Sequence, residues 1–186
     1  YWTIDETNKI TETKEIVKLG VKYVFPNENK VSVTFKCLPK DESKRTTLKI
    51  QQINTSELNL PDNMGNIGEY AFDITTGMND GDFEYDVTLP KPENSTAEVS
   101  YIEKTIDDAK NNEIKVDEIK PIEESKTEQQ SDTVKAKDID HFTIYITTYS
   151  DATFSIEKDT YARGETVYVK AGDLNISKFY KIRLNP

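Results

Sequence analysis

A chain of 186 residues has room for one well-packed core and a smaller companion unit. Its formal net charge of −10 argues against nucleic acid and anionic membrane surfaces, since both are bound through clustered cations. The single cysteine, Cys37, excludes an intrachain disulfide and a zinc site built on cysteines, and no apolar run reaches the ~18 residues of a membrane span.

Val, Ile, Thr, Tyr and Phe dominate the apolar segments while Leu and Ala are sparse, which predicts an all-β protein. Residues 1–13 carry Trp2, Ile4 and Ile10 among polar neighbours, and read as an extended edge segment whose partner strand need not lie in this chain. The chain opens on Tyr1 rather than Met, so an upstream leader is expected to have been removed. Val21–Phe25 and Val31–Phe35 flank a Pro-Asn-Glu-Asn turn and read as paired strands, with Cys37 expected to be buried as a small hydrophobe. Leu48–Ile53 restores the alternation before Pro61 and Gly65 break it.

Tyr70–Ile74 and Phe83–Leu89 flank the turn signal Asn79-Asp80-Gly81-Asp82, and Pro90 and Pro92 close the second run. Val99–Ile102 starts another strand. From Glu103 to Asp132 there are ten carboxylates against five lysines and no aromatic residue, so no deep core is expected there; Lys120–Asp132 reads as a flexible acidic loop. Ile102, Ile106 and Ala109 nevertheless fall at helical spacing, so a short helix can sit at 102–120. Thr133–Ala136 is a strand leading into the turn Asp138-Ile139-Asp140. From Phe142 onward Phe142, Ile144 and Ile146 alternate with Thr143, Tyr145 and Thr147, the pattern of a central strand with one buried face. Further runs at 152–156, 166–170 and 180–184 make residues 150–186 part of a second, immunoglobulin-like sandwich after a first one at 14–149.

Two constellations can carry chemistry. Asn79, Asp80, Asp82, Glu84 and Asp86 offer oxygen ligands of the kind calcium takes, centred on Asp80, Asp82 and Glu84, although alternation along a strand equally makes Asp82, Glu84 and Asp86 a solvated acidic face. The second is His141-Phe142-Thr143, which holds the only histidine. On the plain reading His141 ends a turn, Phe142 anchors the core and Thr143 faces solvent. No other cofactor, phosphate loop or catalytic triad is indicated. Three Asn-X-Ser/Thr triplets, at Asn54, Asn94 and Asn175, are compatible with export.

His141-Phe142-Thr143 resembles the scission motif of self-cleaving β-sandwich domains: the autoproteolytic domain of adhesion receptors, ZU-type domains and the autoproteolytic nucleoporin domain. That resemblance implies a strained turn at which Thr143 attacks the carbonyl of Phe142 in an N-to-O acyl shift. His141 would take the hydroxyl proton, and water would then cleave the ester. The flanking cysteines and tryptophans of the adhesion-receptor domains are absent. More broadly, the segment FDITTGMNDGDFEYDVTLPKP, the 136–149 stretch and the segment 151–186 make the chain look like large multi-domain bacterial surface proteins, in which such a block precedes immunoglobulin-like repeats. This implies an extracellular or cell-surface structural and adhesive role, in a layer, fibre or adhesin, rather than an enzyme. The expected partners are other copies of the chain, joined by donation of residues 1–13, or further domains of the same protein. A Lys-to-Asn crosslink is compatible with such sandwiches.

Overall fold

In the computed structural model the described residues are 2–7, 9–150, 153–156 and 169–172. Contacts divide the chain into two units, Tyr1–Tyr149 and Ser150–Pro186. Antiparallel β-sheet dominates the described residues of the first unit, as the abundance of β-branched and aromatic residues favours.

In the first unit the strands run in order β1 Trp2–Asp5, β2 Ile10–Thr13, β3 Lys22–Val24, β4 Ser32–Cys37, β5 Leu48–Asn54, β6 Asn66–Ile67 and β7 Tyr70–Thr76. They continue with β8 Glu84–Pro90, β9 Thr96–Ile102, β10 Ile119–Pro121, β11 Thr127–Gln129, β12 Thr133–Ile139 and β13 Thr143–Ser150. Between β9 and β10 lies the helix α1, Ile106–Asn111. One sheet has the order β1-β2-β5-β7-β13-β9-β10, with β6 also paired to β13; the other has the order β11-β12-β8-β4-β3. Between them is a core rich in aromatic rings, with Phe25, Phe35, Phe72, Phe83, Tyr85 and Tyr145 essentially inaccessible to solvent. In the second unit β14 Thr153–Ile156 pairs antiparallel with β15 Val169–Gly172. Residues 157–168 and 173–186 lie outside the described residues, and with them the start of the run expected at 166–170, the run expected at 180–184 and Asn175.

Four expectations are corrected. Residues 2–13 are no free donor strand: β1 pairs with β2, and β2 with β5 of the same chain, which commits Ile10–Glu12 to an internal ladder. The acidic stretch 120–132 is structured, because β10 pairs with β9 and β11 with β12 around a 3-10 turn at Glu124–Lys126. Cys37 is exposed, since the ladder shifts register between Phe35 and Cys37 and turns the last residues of β4 outward.

The fourth correction concerns β13, which is buried on both faces. Tyr145 enters the inter-sheet core, while Ile144 and Ile146 join a second, purely aliphatic cluster on the far side of the same sheet. That cluster contains Ile53, Leu58, Ala71, Ile102, Ala109, Ile114 and Ile119, so the acidic 103–119 stretch does build a core. Helix α1 is its lid. Thr105 caps the helix by accepting the Asp108 N–H at 3.2 Å, and Asn59 exchanges main-chain hydrogen bonds of 2.9 Å with Ala109 and Ile114.

Candidate functional site: the turn at His141 and its cleft

The β12–β13 turn is held from several sides. β12 shifts register against β8 between Ala136 and Ile139, and there Asp138 takes φ of 58°, a left-handed conformation that aspartate tolerates. Its N–H donates to Asp86 Oδ1 at 3.2 Å, and its carboxylate pairs with Lys36, which holds that carboxyl below its ordinary range. Asp86 is 8% exposed and lies between Lys36 at 3.7 Å and Lys135 at 3.4 Å, so it belongs to a partly buried ion cluster rather than a solvated acidic face. The Asn79–Asp82 turn docks onto the same place: the Gly81 N–H donates to Asp140 O at 2.8 Å, and the Phe142 N–H donates to Asp80 Oδ1 at 3.4 Å.

Each residue of His141-Phe142-Thr143 has a separate engagement. The Phe142 ring stacks on Phe83 at 4.0 Å and Tyr85 at 5.4 Å, which anchors it in the core as the plain reading holds. Thr143 is 4% exposed, not solvent-facing, and its hydroxyl donates to the Ile102 carbonyl at 2.6 Å. His141 Nδ1 lies 3.1 Å from Asp140 Oδ1, its ring meets Tyr101 edge-on at 4.6 Å, and its Nε2 is buried without a partner. No hydrogen bond therefore joins the imidazole to the Thr143 hydroxyl. The left-handed non-glycine residues of the described chain are Lys9, Asn94 and Asp138; Thr143 is already in ladder register with Ile74.

Below the turn, Tyr85 donates its hydroxyl to the His141 carbonyl at 2.9 Å and accepts from Tyr145 at 2.6 Å, the assignment forced because a carbonyl can only accept. Burial raises the pKa of both phenols above the ordinary tyrosine value.

Beside the turn opens a cleft of about 640 Å³. On the outer face of the large sheet Ile53 stands opposite Ala71 under the helical lid, whereas one step along Gln51 stands opposite Asp73. The cleft begins where the lid ends, with Asp73 and Thr75 on its floor, Lys104–Asp107 on one wall and His141–Thr143 on the other. Lys104 is engaged by Asp108 and Glu118, at 3.1 and 3.2 Å. Asp73 is half-buried, and desolvation pushes its carboxyl up to about 6. The arrangement favours a positively charged or hydrogen-bond-donating group over an anion.

Asp80, Asp82 and Glu84 do not converge: Asp80 accepts from Phe142, Asp82 from Asn79 at 3.5 Å, and Glu84 sits in the β8 ladder opposite Cys37. Among the described residues no group of three or more His, Cys, Asp or Glu side chains is arranged to hold a metal. No helix among them is long and apolar enough to cross a membrane. Lys91, a buried lysine, spends its ammonium on the carbonyls of Ser95 and Ser131, at 2.5 and 3.2 Å, rather than on an asparagine. Sequence reasoning missed Asp73, Tyr85 and Tyr101; Asp73 left a signal, as a charged residue inside the apolar run Tyr70–Ile74. No family model, curated protein or solved structure matches the chain.

Proposed function

We propose that the chain is a structural and adhesive building block of an extracellular assembly, a surface layer, fibre or adhesin, rather than an enzyme. The observation that carries this reading is the use made of His141-Phe142-Thr143. The ring packs, the hydroxyl is committed to Ile102, and the imidazole makes no hydrogen bond to Thr143. A second β unit follows directly on the first in the chain, as in tandem surface modules. The adhesive role is assigned to the cleft, where Asp73 would meet a cationic group of the ligand.

Antibody raised against the folded 1–149 unit should label intact, unpermeabilised source cells, and labelling only after permeabilisation overturns the surface assignment. Self-cleavage is the competing reading, and it requires Thr143 to leave the Ile102 carbonyl and reach that of Phe142. Purified chain should stay whole on denaturing electrophoresis after prolonged incubation. Two fragments split between Phe142 and Thr143, and lost in Thr143→Ala, would establish the competitor.

A further inference from the structure

Among the described residues six large apolar side chains stand exposed: Ile4, Ile16, Leu19, Val21, Val24 and Val116. All but Val116 lie in β1, in β3 or in the segment between β2 and β3. These are the edges of two different sheets, β1 closing one end of the large sheet and β3 the matching end of the small one. They stand side by side, since the Trp2 ring meets Tyr23 edge-on at 6.4 Å. Next to β3 runs a groove of about 470 Å³ walled by Ile16, Val21 and Tyr23. Phe25 donates to Val31, and Tyr23 stands opposite Val33, so antiparallel alternation turns the main-chain groups of Lys22 and Val24 away from β4. An edge guarded against pairing is normally free of exposed apolar side chains, and this one, although it carries charge, leaves Ile4, Val21 and Val24 exposed.

The two edges differ in charge. β1 ends in Asp5 and continues into Glu6, whereas β3 and its approach carry Lys14, Lys18 and Lys22 against the one carboxylate Glu15. We propose that this end of the sandwich is the interface of a two-fold dimer in which β1 of each copy adds to β3 of the other, extending both sheets across the axis. Two symmetric arrangements can join these edges. An axis along the sheet normal sets like against like, Lys22 facing Lys22 and the acidic strands facing each other. An axis parallel to the strands sets each acidic edge against a basic one and brings Ile4 towards the Val21 and Val24 side chains. Opposite charge selects the second, and such an isologous contact is closed. The occupant is a second copy because the patch carries both complementary halves itself.

The test is the mass of the full 186-residue chain in sedimentation equilibrium, with its circular dichroism as a check on folding. At ~100 µM and low salt the chain should run as a dimer. Asp5→Lys with Glu6→Lys, or Lys18→Glu with Lys22→Glu, should each weaken association by about 10-fold or more, and all four together should restore it. Mixing the four-fold variant with the unsubstituted chain then distinguishes the axes: crossed edges keep the two populations as separate homodimers, whereas like-to-like edges would drive heterodimers. A monomer at this concentration, a dimer unmoved within about 2-fold by either paired substitution, or preferred heterodimers would each overturn the proposal.

Discussion

The large sheet buries its two faces by different means. Its inner face meets a second sheet through aromatic side chains: Phe72 of β7 meets Phe25 at 6.2 Å, and the Tyr145 hydroxyl of β13 lies 2.6 Å from that of Tyr85 in β8. Its outer face is covered by one short capped helix and the chain around it, over isoleucine, leucine and alanine, and only for part of its length. A sheet-on-sheet core spans about 10 Å and needs large side chains from both layers, whereas a short lid lies close and needs small ones. The incomplete lid leaves Asp73 only half-buried, so the cleft is a product of the asymmetry between the two faces.

Truncations should separate the two cores. Phe35→Ala, in the inter-sheet core, should cost about 3–5 kcal/mol in denaturant unfolding. Ile114→Ala, in the lid core, should cost about 2–4 kcal/mol, with hydrogen-exchange protection lost first at α1 and retained in β4 and β8. Equal loss of protection in both regions would mean that the cores are one cooperative unit.

Asp73 tests the uncovered stretch. Its carboxyl titrates near 6 in the folded chain and near 4 unfolded, so between those values the native state holds a proton that the unfolded state has released. Stability should therefore fall as pH rises from about 4 to about 6 and remain lower above it. Asp73→Asn should flatten that slope and stabilise the protein at pH 7 by roughly 1–2 kcal/mol. An unchanged slope would place the charge in solvent.

Tyr85→Phe removes the bond to the His141 carbonyl and leaves the Tyr145 hydroxyl without its acceptor; it should cost about 1–2 kcal/mol and loosen the turn beside the cleft. The smallest expected effect is that of Thr105→Ala, about 1 kcal/mol, from loss of the helix cap. Its signature is local fraying of the lid, read by amide exchange at Asp108 and Ala109.

Period-two alternation and turn chemistry, both local, were legible before any fold was known. They placed β4, β5, β7, β8, β9, β12 and β13 and the turn at Gly81 with its φ of 82°, while the helical spacing of Ile106 and Ala109 allowed the short helix in the acidic stretch. Whether β13 was buried on one face or two was not legible: the alternation set Ile144 on the core face and Tyr145 on the other, and nothing in a single strand says what covers its other side. The same limit hid the lid core: Ala109, Ile114 and Ile119 are isolated apolar residues among carboxylates until α1 folds them onto Ile53 and Ile144. At His141-Phe142-Thr143 the residue types alone admitted an attacking hydroxyl. Its engagement with Ile102, 41 positions away in the chain, depends on which strand lies beside β13, and that neighbour is chosen by long-range pairing.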